Sequence, residues 1–280
     1  MSTEVLAVVL LSALLHAGWN AAVRASGDKL LASWQVVGGA ALLSLPLLVW
    51  LPLPAPASWP WLLASGLIHV LYFALVARAY QGAELGLAYP LMRGTAPVLT
   101  AATAALWLYE TPTPLGALGI GLICTGVLAL AGRAWRQGLQ HPGATWAALA
   151  NAAVIALYTV VDGQGVRLAG HALAYTAWLF TLTAIFMLPT LLWWRGRATL
   201  RPAAGAWRVL LLGGAGTLGA YSLVLWAMTR APIASVAALR ETSIVFAALI
   251  GALLLKEGLG RLRLASALLV CTGAVLLRLG

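Results

Sequence analysis

Long apolar runs separated by short polar breaks fill almost the whole chain. A helix crossing the hydrocarbon core of a bilayer needs about 20 mostly apolar residues. The pattern predicts ten such helices, over 4–23, 30–51, 60–80, 84–108, 113–132, 143–163, 170–194, 205–228, 232–255 and 260–279. The breaks carry turn chemistry, as in Ser26-Gly27-Asp28-Lys29, Pro52 to Pro60, Thr111 to Pro114 and Arg195 to Pro202. Trp50, Trp59, Trp61, Trp135, Trp146, Trp193, Trp194 and Trp207 fall near span ends. There an indole can meet headgroups with its N–H and lipid tails with its ring. The expected fold class is an all-α integral membrane protein.

The apolar pattern also repeats. A shift of 147 residues lays Arg93 on Arg240, Glu110 on Glu257, and Cys124-Thr125-Gly126 on Cys271-Thr272-Gly273. From Arg93 to Gly126 the ungapped match is 13 identities in 34 positions, more polar coincidence than apolar low complexity supplies. The first repeat is expected over 1–136 and the second over 143–280, joined by a linker at 137–142. Five helices per half is an odd number, so the second half enters the membrane in the opposite sense. The expected architecture is therefore ten transmembrane helices as two inverted five-helix repeats, which is the plan of a secondary transporter with a midplane site between the halves.

Composition narrows the class further. Hydrophobic residues make up 62% of 280 and charged residues 9%, against about 25% charged in soluble domains. At that span length ten helices take roughly 210 residues, which leaves about 70 for loops and ends and no room for a soluble domain. The net charge of +10 sits mostly in short loops and forms no contiguous basic face, so no nucleic-acid partner is expected. Twelve Lys and Arg residues fall in the odd-numbered connections, and three in the even-numbered connections and C-terminus. That bias puts the odd connections in the cytoplasm and both termini outside, in a cell inner (plasma) membrane. Met1 to Glu4 has no basic region and no clean cleavage site follows, so the first run is expected to be a retained helix. Cys124 and Cys271 read as small apolar packers, not as a disulfide or metal site.

Buried polar residues carry the candidate chemistry. Arg93 and Arg240 each lie about ten residues into a span, too deep to snorkel easily. An arginine facing lipid costs at least about 2.5–3.5 kcal/mol, so both must face protein or water. They could hold a carboxylate or phosphate, or lock helix packing. Glu241 could face Arg93, bind a substrate ammonium, or only offset positive charge. His16, Trp19 and Asn20 share one face of the first helix at i, i+3, i+4 spacing, and a histidine there could bind substrate or carry a proton. His69 and Tyr72 in the third helix, Tyr89 in the fourth, Tyr158 in the sixth and Tyr221 in the eighth complete the expected cavity. Asn151, Ile155, Tyr158 and Asp162 share a face of the sixth helix, with Asp162 expected as a wet carboxylate near its end. Pro90 and Pro97 are expected to bend the fourth helix, and Glu110 and Glu257 to cap or pack helix ends. Gly121, Thr125, Gly126, Ser266 and Gly273 suit close helix contact, within the chain or across a dimer.

These patterns resemble the EamA-type ten-helix proteins of the drug/metabolite transporter superfamily. The carrying residues are Ala-Tyr-Pro-Leu-Met-Arg-Gly (88–94) with Leu-Tyr-Glu (108–110), and Ala-Ala-Leu-Arg-Glu (237–241) with Leu-Lys-Glu (255–257). Leu-Leu-His-Ala-Gly-Trp-Asn (14–20) also looks like a first helix of that family. The resemblance implies a central cavity and alternating access. No phosphate-binding loop, Gly-x-Ser-x-Gly or His-Glu-x-x-His occurs, so no ATP motor, enzyme activity, cofactor or metal is expected. The expected function is secondary-active movement, outward, of a small polar metabolite such as an amino acid or organic anion. Arg93 and Arg240 would hold its anionic group and Glu241 its ammonium. A flippase for a lipid-linked sugar or phosphate headgroup, or a drug exporter, is the alternative. The bilayer, a small-molecule substrate and a coupled proton are the expected partners of a monomer or homodimer.

Overall fold

A computed structural model describes residues 1–24, 28–82, 85–132, 142–197, 206–254 and 260–280. Trp135, Arg133, Arg136, residues 137–141 of the expected linker, Arg201, Lys256 and Glu257 lie outside the described residues. The helices are α1 (Thr3–Arg24), α2 (Lys29–Trp50), α3 (Trp59–Gly82), α4 (Leu85–Leu108), α5 (Pro114–Ala129), α6 (Pro142–Ala169) and α7 (Ala172–Arg195). After them, a π-turn (Val209–Gly213) leads into α8 (Gly214–Met228), followed by α9 (Ile233–Arg240), α10 (Ser243–Leu254) and α11 (Arg261–Leu279). Local chemistry sets the starts. Asp28 accepts the Leu31 N–H at 3.0 Å, and Thr113, ahead of Pro114, accepts the Gly116 N–H at 3.0 Å. Eight described spans are long and apolar enough to cross a membrane, and α5 is a shorter apolar helix.

The protein is a multi-pass membrane protein of two inverted repeats, and the packing shows the exchange between them. Repeat symmetry pairs α1 with α6, α2 with α7, α3 with α8, α4 with α9 and α10, and α5 with α11. Thus α3 packs on α6 as α8 packs on α1; α3 on α7 as α8 on α2; and α4 on α6 as α10 on α1. The α5–α11 and α2–α7 contacts map onto themselves. Each helix of one half therefore buries its inward face largely against the other half, and the interface between repeats is the core.

The α5–α11 contact depends on missing side chains. A Cβ placed on Gly119 would lie 2.7 Å from the Gly273 carbonyl oxygen, and one on Gly273 would lie 2.6 Å from the Gly119 carbonyl oxygen. Gly126 meets the Ser266 backbone in the same way. The small residues thus serve intramolecular packing at Gly126, Ser266 and Gly273, while Gly121 has open space and Thr125 is exposed. Gly273→Val is expected to destabilise the protein by about 1–3 kcal/mol through overpacking against backbone. Thermal unfolding in detergent would read this as a lowered midpoint, and an unchanged midpoint would rule out the close contact.

Four expectations change. The ninth predicted span is two helices, because the chain turns at Glu241-Thr242. The Glu241 and Thr242 amides bond three residues back, to Ala238 and Leu239, and the Thr242 hydroxyl donates to the Leu239 carbonyl at 2.7 Å. The fourth span, by contrast, is one helix as expected, with both prolines inside it. The sixth helix runs to Ala169 rather than 163, because Gly163 and Gly165 pack against Ile233 and Tyr175 instead of ending it. Trp59 meets Trp178 edge to face with centroids 4.9 Å apart and donates its indole N–H to the Pro54 carbonyl, so it packs inward, whereas Trp50 and Trp193 are exposed. Cys124 is buried, but Cys271 is exposed and is not a core packer.

Candidate functional site

One cavity of about 790 Å³ gathers most of the expected residues. His16, Trp19 and Asn20 reach it from α1, His69 and Tyr72 from α3, and Tyr89 and Arg93 from α4. Tyr158 enters from α6, Tyr221 from α8 and Arg240 from α9. The helical spacing of His16 and Trp19 puts their rings edge to face at 5.0 Å. The Asn20 amide instead donates to the His16 carbonyl at 2.9 Å, so its N–H serves its own helix. His69 lies over Tyr158 at 4.4 Å, with Tyr72 5.7 Å from Tyr158. The His69 Nδ1–H donates to the Ser65 carbonyl at 2.8 Å, which fixes the ring. Rings thus cluster on part of a wall that is otherwise mostly aliphatic and small, a surface that suits flat apolar groups.

The two arginines differ in their bonding. Arg93 pairs with Glu241: its Nε donates to Oε2 at 3.0 Å, and its Nη2 lies in ion-pair contact 2.7 Å from Oε1 without a hydrogen bond. Both residues are buried, and the pair is electrically neutral. Glu241 is not part of the cavity wall, and of its alternative partners the structure shows Arg93. Arg240 is 7% exposed and has no ion pair among the described residues. Its Nε is buried without a hydrogen-bond partner, and its guanidinium carbon lies 5.8 Å from the Tyr221 ring centroid. Repeat-equivalent positions thus hold one arginine in an ion pair with Glu241 and one without an ion pair among the described residues, although the Glu241 charge acts on both.

Residues 3–132 and 142–279 match the EamA-like transporter family. The chain belongs to that family. One crystal structure of another protein covers 99% of this chain and 96% of its own at 20% identity, with a TM-score of 0.73, and shows the same fold. No curated protein matches. Membership makes the EamA-like chain a transporter of the drug/metabolite superfamily type, spanning the membrane several times.

The EamA-like cavity is one-sided. Among the described residues, Asn20, Ser33, Val76, Leu130 and Leu262 line it near the odd-numbered connections, and none of its lining comes from an even-numbered connection. At the even end the halves are tied together. Glu110 pairs with Arg167 and accepts the Ile233 N–H at 2.9 Å, so it caps the start of α9, a helix of the opposite repeat. Arg167 also donates to the carbonyls of Met228 at 2.8 Å and Ala231 at 3.0 Å. The spacing reading missed this clamp because Glu110 and Arg167 belong to different repeats.

Asp162 is the residue that sequence reading most misplaced. It is 0% exposed, not a wet loop carboxylate, because α6 continues past it. Its oxygens accept the Tyr221 hydroxyl at 2.6 Å and the Tyr175 hydroxyl at 3.2 Å. The i, i+4 register from Tyr158 was the available signal. On the same face Asn151 is also buried, and donates to the Met92 sulfur of α4.

Proposed function

We propose that this chain is a secondary transporter for small organic anions that carry an aromatic or other flat apolar body. Arg240 holds the anionic group and the ring-lined wall holds the body. The observation that carries this reading is the buried Arg240 Nε, which lacks a protein partner beside a cavity of about 790 Å³. A buried cation is costly unless paired, and a bound anion would supply the missing bonds. Arg93 is already neutralised by Glu241, so the site has one net positive charge rather than two. The same pairing leaves Glu241 engaged, which favours an organic anion over an amino acid and over a cationic drug.

Transport would proceed by alternating access between the two halves. With the odd connections in the cytoplasm, the described cavity lies toward the inside and the Glu110–Arg167 clamp would close the outer end. Opening outward requires that clamp to part and the odd end to close.

Three probes with one ring and different charge test the substrate class. Benzenesulfonate, L-phenylalanine and phenethylamine, each radiolabelled, are offered to proteoliposomes preloaded with the same compound. Saturable exchange of the sulfonate, weaker exchange of phenylalanine and none of the amine is expected. Preference for phenylalanine or the amine would overturn the anion assignment.

A further inference from the structure

Asp162 sits in an unusual cage. It is fully buried in the last third of α6, yet no Lys, Arg or His nitrogen lies within 4.0 Å of it among the described residues. Tyr175 of α7 and Tyr221 of α8 donate hydroxyls to it, and Ser65 and His69 face it from α3. Other charged or titratable groups near these elements are accounted for. Arg93 of α4 is held by Glu241, and Arg167, further along α6, is held by Glu110. Tyr158 lies one turn earlier on α6, and Arg240 of α9 lies over the Tyr221 ring.

The chemistry of that cage separates Asp162 from Glu241. A guanidinium only donates, so Arg93 holds Glu241 as an anion. A hydroxyl both donates and accepts. The Tyr221 hydroxyl can donate to a bare carboxylate or accept from a carboxylic acid without moving a heavy atom. The cage therefore fits both protonation states, as a site that loads and unloads a proton requires. It also has a route: Tyr221 and His69 line the cavity, while Asp162 lies behind them.

We propose that Asp162 binds the coupled proton, and that proton and substrate anion bind together. This rests on the anion-transport reading above. In the loading step the Tyr221 O–H breaks as its proton passes to Asp162 Oδ2, and the tyrosine oxygen takes a proton from hydronium in the cavity, leaving water. Coupling follows from position. An anion at Arg240 and a bare carboxylate at Asp162 repel each other through one tyrosine ring, and a proton on Asp162 removes that repulsion. By linkage, each ligand then favours the other. The direction of net flow is set by whichever gradient is larger.

Proteoliposomes with an entrapped pH dye test this with benzenesulfonate, which stays ionised, so any proton moved belongs to the protein. Wild type is expected to accumulate the sulfonate from an acidic exterior while the dye reports internal acidification. Asp162→Asn is expected to lose both accumulation and acidification but still to exchange labelled for unlabelled sulfonate without a gradient. Gradient-driven accumulation by Asp162→Asn would overturn the assignment. Absence of exchange in wild type would instead count against the transport reading. Proton binding then decides separately: acid–base titration of the solubilised protein is expected to show fewer protons bound by Asp162→Asn, and equal counts would overturn it. If Asp162→Asn does not fold, Asp162→Glu keeps an ionisable carboxyl and is expected to shift the pH profile of accumulation. An unshifted profile would overturn the proposal.

Discussion

Glu241→Gln is expected to destabilise the protein by about 3–5 kcal/mol, the usual cost of removing one partner of a buried ion pair. The ion pair, with its Nε bond at 3.0 Å and its 2.7 Å Nη2 contact, is lost, and a buried guanidinium is left without its contact counter-charge. The site is vulnerable for a second reason. Glu241 lies at the turn between α9 and α10, so the ion pair ties that turn to α4 of the other repeat. Replacing both partners, as Arg93→Met with Glu241→Leu, is expected to recover most of the stability, because well-packed apolar residues often match a buried pair. The thermal midpoint in detergent reads both variants. A single variant as stable as wild type would contradict the pairing. A stable double variant without anion exchange would mean that Arg93 belongs to the substrate site after all.

Arg240→Met is expected to separate binding from stability in the opposite direction. Truncating a buried hydrogen-bonded charge in an interface costs about 2–5 kcal/mol, which is roughly 30- to 4,000-fold in affinity. No described carboxylate pairs with Arg240, so its removal strands no partner. The variant is expected to be at least as stable as wild type, because a buried cation without an ion pair is itself unfavourable. Loss of affinity with unchanged or raised stability marks a residue kept for function. Destabilisation comparable to Glu241→Gln would instead mark Arg240 as a packing residue.

These opposite expectations for two repeat-equivalent arginines show what sequence can and cannot reveal. The cost of an arginine in lipid forces both residues inward, so their burial was legible. So were the ten spans and the inverted repeat, because apolar period and register are properties of the chain alone. The face shared by His16 and Trp19 follows directly from helical spacing. Which arginine keeps a free charge was not legible, because it depends on how α4 approaches the α9–α10 turn across the repeat interface. The break at Glu241-Thr242 carries no proline or glycine, and three-residue bonds with a threonine hydroxyl make it instead. Asp162 was misplaced because Gly163 and Gly165 look like a helix end, whereas they are sites of close approach for Ile233 and Tyr175. Glu110 was expected to cap or pack a helix end; it caps one, but that helix starts at Ile233 of the other half.

The measurement that most directly tests the anion site is benzenesulfonate exchange in proteoliposomes, with wild type beside Arg240→Met at matched amounts of folded protein. Saturable exchange in wild type, with the concentration for half-maximal rate raised steeply or exchange lost in the variant, is the predicted result. Equal exchange by both proteins would contradict an arginine-anchored anion site.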